Sequence, residues 1–137
     1  MLNPPRIVND TNIWLSALYF TGKPAKIVNF IEKGNIVSVT SDFILDELKE
    51  KMIINFHTPL FAANATISHI RSMSELVNLE GADFGLRDVD DNQVLETAVV
   101  GRCSWLVTGD KDLLILGKYK DLQIVTPAQF LSKINPA

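Results

Sequence analysis

The chain has 137 residues, 47% of them hydrophobic and 21% charged, with a formal net charge of −3. That length and balance suit one globular domain over residues 1–137, while no window nears the roughly 18 apolar residues of a membrane span, and the negative charge excludes a protein that coats nucleic acid by bulk electrostatics. One cysteine, Cys103, and two histidines, His57 and His69, leave no internal disulfide and no zinc-ligand cluster.

The N-terminal MLNPPRIV resembles neither a signal peptide nor a transit peptide, so the cytoplasm is the expected compartment. Arg6–Asn9 is a short apolar run that suits a buried first strand, with Asp10 at its carboxyl end. After Trp14–Tyr19, Thr21-Gly22-Lys23-Pro24 breaks the chain, and Pro24 opens a helix whose apolar face is Ile27, Phe30 and Ile31 and which ends at Gly34. Ile36–Val39 reads as a second strand. Ser41 and Asp42 form the cap and first turn of a helix to about Asn55, where Phe43, Ile44, Leu48, Met52 and Ile53 face inward with Glu47 on or beside that stripe.

Thr58-Pro59 starts a helix to about Met73 with an expected inner face of Leu60, Phe61, Ile67 and Ile70, and Leu76–Leu79 reads as an edge strand. A polar loop, Gly81–Arg87, precedes a helix that begins at Asp90 or Asp91, buries Val94, Leu95 and Ala98, and ends near Gly101. Trp105–Val107 is a strand, Lys111–Gly117 a short helix, and Leu122–Val125 a last strand. Thr126-Pro127 then starts the closing helix Ala128–Ile134. The alternation implies an α/β fold, a three-layer α/β/α sandwich around a mainly parallel sheet of about five strands.

In such sheets functional groups gather beyond the carboxyl ends of the strands. Asp10, Glu47, Asp91 and Asp110 with Asp112 come from four segments that can converge there. Taken singly, each has a plainer reading: turn former, solvated helix residue or helix cap. Taken together, carboxylates held within about 4–6 Å of one another repel, and a hard divalent cation resolves the repulsion. Mg²⁺ or Mn²⁺ in an all-oxygen site suits phosphodiester hydrolysis. Asn12 is a candidate to hold a ligand or substrate oxygen, the Thr108 hydroxyl to orient an acid or water, and Lys111 is placed to meet a phosphate or simply to be solvated. Trp14 and Trp105 read as packing residues before base-stacking ones, and Cys103 as a small buried side chain.

The segments IVNDTNIWLSAL, VTSDFILDELKEK, RDVDDNQVLETAVVGRCSWLVTGDKDLL and IVTPAQFL, in this order and at this spacing, resemble the successive motifs of the PIN-domain family over nearly the whole chain. The resemblance implies a metal-dependent ribonuclease, VapC-like, the toxin of a toxin–antitoxin pair. It assigns Asp10, Glu47, Asp91 and Asp110 as the catalytic acids and ligands of Mg²⁺ or Mn²⁺, with Asn12, Thr108 and Asp112 as accessory positions. It also implies an RNA substrate, a cognate antitoxin and a homodimer. Asn9 departs from the apolar residue common before the first acid. The run Asp88, Asp90, Asp91 leaves a choice of ligand: the family spacing favours Asp91, with Asp88 and Asp90 as caps or as sharers of that role. The rival readings are a non-catalytic PIN-like module for RNA binding or protein interaction, with the acids as caps, and an acidic phosphotransfer domain, for which no late-strand lysine partner is evident.

Overall fold

The computed structural model describes residues 3–134. Strand β1 (Arg6–Asn9) pairs in parallel with β2 (Val37–Ser41) on one side and β4 (Trp105–Val107) on the other. β3 (Ser74–Val77) extends the sheet beyond β2, and β6 (Leu122–Val125) extends it beyond β4. A two-residue strand β5 (Lys118–Tyr119) closes the far edge antiparallel to β6, so the order is β3-β2-β1-β4-β6-β5. The sheet therefore has six strands, five of them parallel. The sequence pointed to about five because two residues carry no readable periodicity.

Pleat alternation assigns the two faces. Val8 pairs with Val39, and Val39 points at α5 (Val89–Val100), whose cap Gly101 lies so close that a Cβ there would come within 2.5 Å of Val39 Cγ1. A glycine is therefore required where the helix turns back onto the sheet. Trp105 pairs with Ile7 and faces the other way, meeting Phe130 of α7 (Pro127–Ile134) edge to face at 5.7 Å. Helices thus cover both faces, and the strands between them read as short apolar runs because each side is buried.

Thr11–Tyr19 forms helix α1, which the sequence pattern left without an assignment. Its cap is Asp10, the residue directly after β1, so strand passes into helix with no linking loop to mark the change. Helix α2 (Lys23–Glu32) carries Pro24 in its first turn, where a missing N–H costs nothing. Helix α3 (Asp42–Phe56) buries Ile44, Leu45, Leu48 and Met52. Ser41 sits at its N-cap but does not cap it, since its hydroxyl instead meets Thr97 of α5 at 2.9 Å.

Helix α4 (Leu60–Ser72) packs at the sheet edge on α3 and β3, and its inner side is Ala63 and Ile70 with Ile67 half-buried. Leu60 and Phe61, expected inside, are 58% and 78% exposed, because a helix at an edge buries a narrow stripe and the first turn projects past its support. β3 begins two residues earlier than expected, in register with β2, with Ser74 Oγ donating to Ser38 Oγ at 2.9 Å. No helix among the described residues is long and apolar enough to cross a membrane.

Candidate functional site

β2 and β3 lie to one side of β1 and β4 and β6 to the other, so the strand order reverses between β1 and β4. A crevice opens at such a point beyond the carboxyl ends of the strands. Asp10 stands at that end of β1, where its amide donates to Val107 O at 2.9 Å and continues the pairing with β4. Its Oδ1 accepts from the Thr11 amide at 2.7 Å, so the capping need of α1 fixes one oxygen. Its Oδ2 accepts from the Thr108 hydroxyl at 2.7 Å.

Thr108 is fully buried, held by its own amide on Val125 O at 2.9 Å, and its hydroxyl oxygen accepts from the Asp110 amide at 3.0 Å. One hydroxyl thus ties the two strand-end acids together. Asp110 caps helix α6 (Lys111–Leu116) through Oδ1, which accepts from Leu113 N at 3.1 Å. Glu47 reaches in from the second turn of α3 and accepts from the Thr11 hydroxyl. Asp91, in the first turn of α5, is 7% exposed.

These groups line a cleft of about 140 Å³ together with Thr11, Asn12, Lys51, Asp88, Asp90 and Val94. Burial, then the charges of Asp110, Asp88, Asp10 and Asp112, push the Asp91 carboxyl up to about 6. Burial also raises Asp10, with Glu47 and Asp110 adding to the effect and the bonds from Thr108 and Thr11 opposing it. Asp90 is raised by burial, then by Glu47 and Asp88, against the pull of Lys51. The cleft is therefore short of positive charge. One oxygen each of Asp91, Asp110 and Asp112 lie within 4.8 Å of one another. An all-oxygen donor set of this kind fits a hard divalent cation and not a soft one.

Asp10, Glu47, Asp91, Asp110 and Asn12 all border this one cleft, and Thr108 supports it from beneath. Asp112 stands at its rim, with a carboxylate oxygen near those of Asp91 and Asp110 and 3.6 Å from the Arg87 guanidinium. Asp88 is the α5 cap, accepting from Asp90 N at 2.8 Å, and both it and Asp90 line the cleft. Lys111 is exposed and does not line it. Lys51 does, and its place one helical turn after Glu47 was the available signal.

Two further residues are not marked by the sequence pattern. Glu96 is 2% exposed and accepts from the amides of Glu80, Gly81 and Ala82 at 2.7, 3.2 and 3.1 Å. Asn92 accepts from Phe84 N at 2.9 Å and donates to Leu86 O at 3.3 Å. Both clamp the loop that delivers Asp88 to the cleft. Trp14 is wholly buried, Trp105 packs on Phe130, His69 meets Glu32 at 2.8 Å, and Cys103 is buried, so none of them borders the acids.

A family model described as PIN domain matches residues 6–112, a span that holds every acid of the cleft. No curated protein matches the chain.

Proposed function

The chain belongs to the PIN-domain family, and from that premise we propose that it is a Mg²⁺- or Mn²⁺-dependent endoribonuclease, the toxin of a toxin–antitoxin pair. PIN domains are generally nucleases that bind divalent metal and act on nucleic acids. The observation that carries the finer reading is the convergence of Asp10, Glu47, Asp91 and Asp110 from four elements on one cleft, with the Asp91 carboxyl held near pKa 6. Four acids that served only as caps and solvated groups would have no reason to meet.

Asp10, Glu47, Asp91 and Asp110 are the proposed ligands, with Asp112 at the rim. A bound divalent ion supplies phosphate polarisation and a lowered pKa for the attacking water. The chain's own contribution is placement. Thr108 and the Thr11 amide each occupy one oxygen of Asp10, which fixes the carboxylate plane and leaves the remaining lone pairs toward the cleft. Asn12, exposed at the mouth, offers an amide to a substrate oxygen. RNA is the proposed substrate; a small antitoxin and a second copy of the chain are the proposed protein partners.

The test is a calorimetric Mn²⁺ titration run beside cleavage of single-stranded RNA. The wild type is expected to bind Mn²⁺ and cleave. Asp10→Asn and Asp91→Asn each lose more than about 100-fold in cleavage. Equal cleavage by both variants, or no Mn²⁺ binding by the wild type, returns the chain to the non-catalytic reading.

A further inference from the structure

Six carboxylates, Asp10, Glu47, Asp88, Asp90, Asp91 and Asp110, border the cleft, and among the described residues the only cation in its lining is Lys51. A polyanion entering there meets repulsion that a bound divalent ion offsets only in part, and the chain as a whole carries −3. Backbone phosphates are ordinarily held by local cations. The plain alternative is that Lys51 serves as the helix partner of Glu47, four residues before it, or of Asp90. Among the described residues, however, no carboxylate lies within 4.0 Å of its ammonium. A lysine surrounded by acids and paired with none has its donors free for an incoming anion. Arg87 is already engaged by Asp112 at 3.6 Å, and Lys111 lies outside the lining.

We propose that Lys51 is the phosphate-positioning residue of the cleft, its ammonium receiving a non-bridging oxygen of the RNA backbone beside the carboxylates. This rests on the nuclease reading above. A flexible four-carbon stem carrying a point charge suits a backbone contact that tracks phosphate without reading sequence. The stem is half-buried on α3, so the charge is anchored one turn from Glu47.

The test measures RNA binding apart from chemistry. Labelled single-stranded RNA is titrated with full-length wild type, Lys51→Met, Lys51→Gln and Lys51→Arg in chelator, over about 50 to 200 mM salt. Cleavage in Mn²⁺ is measured separately. The neutral variants are expected to bind roughly 3- to 10-fold more weakly, with the slope of log K against log salt reduced by about 0.7. Lys51→Arg restores most of both, and cleavage shows a raised KM with kcat within about twofold. If the wild type binds and cleaves while the neutral variants keep its salt slope and KM, Lys51 is a surface helix residue and the proposal is overturned. It is equally overturned if only their melting temperature changes. If the wild type itself neither binds RNA nor cleaves it with Mn²⁺, the nuclease reading falls first and takes this one with it.

Discussion

The Thr108 hydroxyl donates to Asp10 Oδ2 at 2.7 Å, joining residues 98 positions apart in the chain. Because the same oxygen accepts from the Asp110 amide, replacing it breaks two bonds at once. Thr108→Val keeps the shape, strands the half-buried Asp110 N–H and frees Asp10 to rotate. We expect a loss of about 1–3 kcal/mol in urea denaturation and a 10- to 100-fold fall in RNA cleavage. A variant with unaltered cleavage would mean that Asp10 needs no such support.

The raised carboxyl of Asp91 gives a pH dependence whose sign is unusual for an acid. Its pKa is about 6 in the folded chain against an ordinary 3.8, so between those values the folded state binds more protons than the unfolded state. Stability from this group is full below about 4 and is lost as pH rises through about 6 in metal-free protein. Asp91→Asn removes that loss. Metal-free melting curves should therefore show Asp91→Asn gaining on the wild type between pH 4 and 7, while Mn²⁺ stabilises only the wild type. Mn²⁺ affinity should also weaken as pH falls below about 6, since proton and metal compete for the same oxygens. Parallel pH profiles for the two proteins would contradict the assignment.

Glu96 offers a prediction away from the chemistry. Its buried carboxylate accepts three consecutive backbone amides, and Glu96→Ala leaves all three without it. Urea denaturation should show a loss of about 3 kcal/mol, and limited proteolysis should find new cutting between residues 80 and 87. Protection of that loop in the variant would show that Asn92 alone suffices.

Asn9 is fully buried in β1, and neither polar atom of its amide has a hydrogen-bond partner; the buried Thr40 hydroxyl of β2 has none either. Buried amides without partners are costly. Asn9→Val, β-branched and apolar, should raise stability by about 1–2 kcal/mol in denaturant titrations. A fall would show that the Asn9 amide is satisfied in solution.

The alternating fold was legible because most elements are long enough to show their period or are bounded by Gly, Pro and capping residues, as at Gly22-Lys23-Pro24 and Thr126-Pro127. α1 was not, because Asp10 directly follows a strand and caps a helix at once and no breaker separates them. β5 was too short, and Leu60 and Phe61 look like core residues unless one knows that α4 lies at the sheet edge. The acids were legible through the carboxyl-end rule, which places Asp10 and Asp110 from strand positions alone, and through the resemblance of the flanking motifs. Glu96 was not, and the place of Lys51 one turn after Glu47 marked only its nearness to that acid, since both roles depend on which helix face meets which loop. A charged residue on a helix pattern reads as solvated until the packing is known.

In the proposed function the four acids work as one metal-dependent hydrolytic site. Cleavage of single-stranded RNA by chelator-treated protein, before and after Mn²⁺ is returned, tests it most directly, with Asp10→Asn carried through the same purification. We expect no cleavage in chelator, recovery with Mn²⁺ for the wild type, and none for the variant. Cleavage that survives the chelator, or that Asp10→Asn performs as well as the wild type, would contradict it.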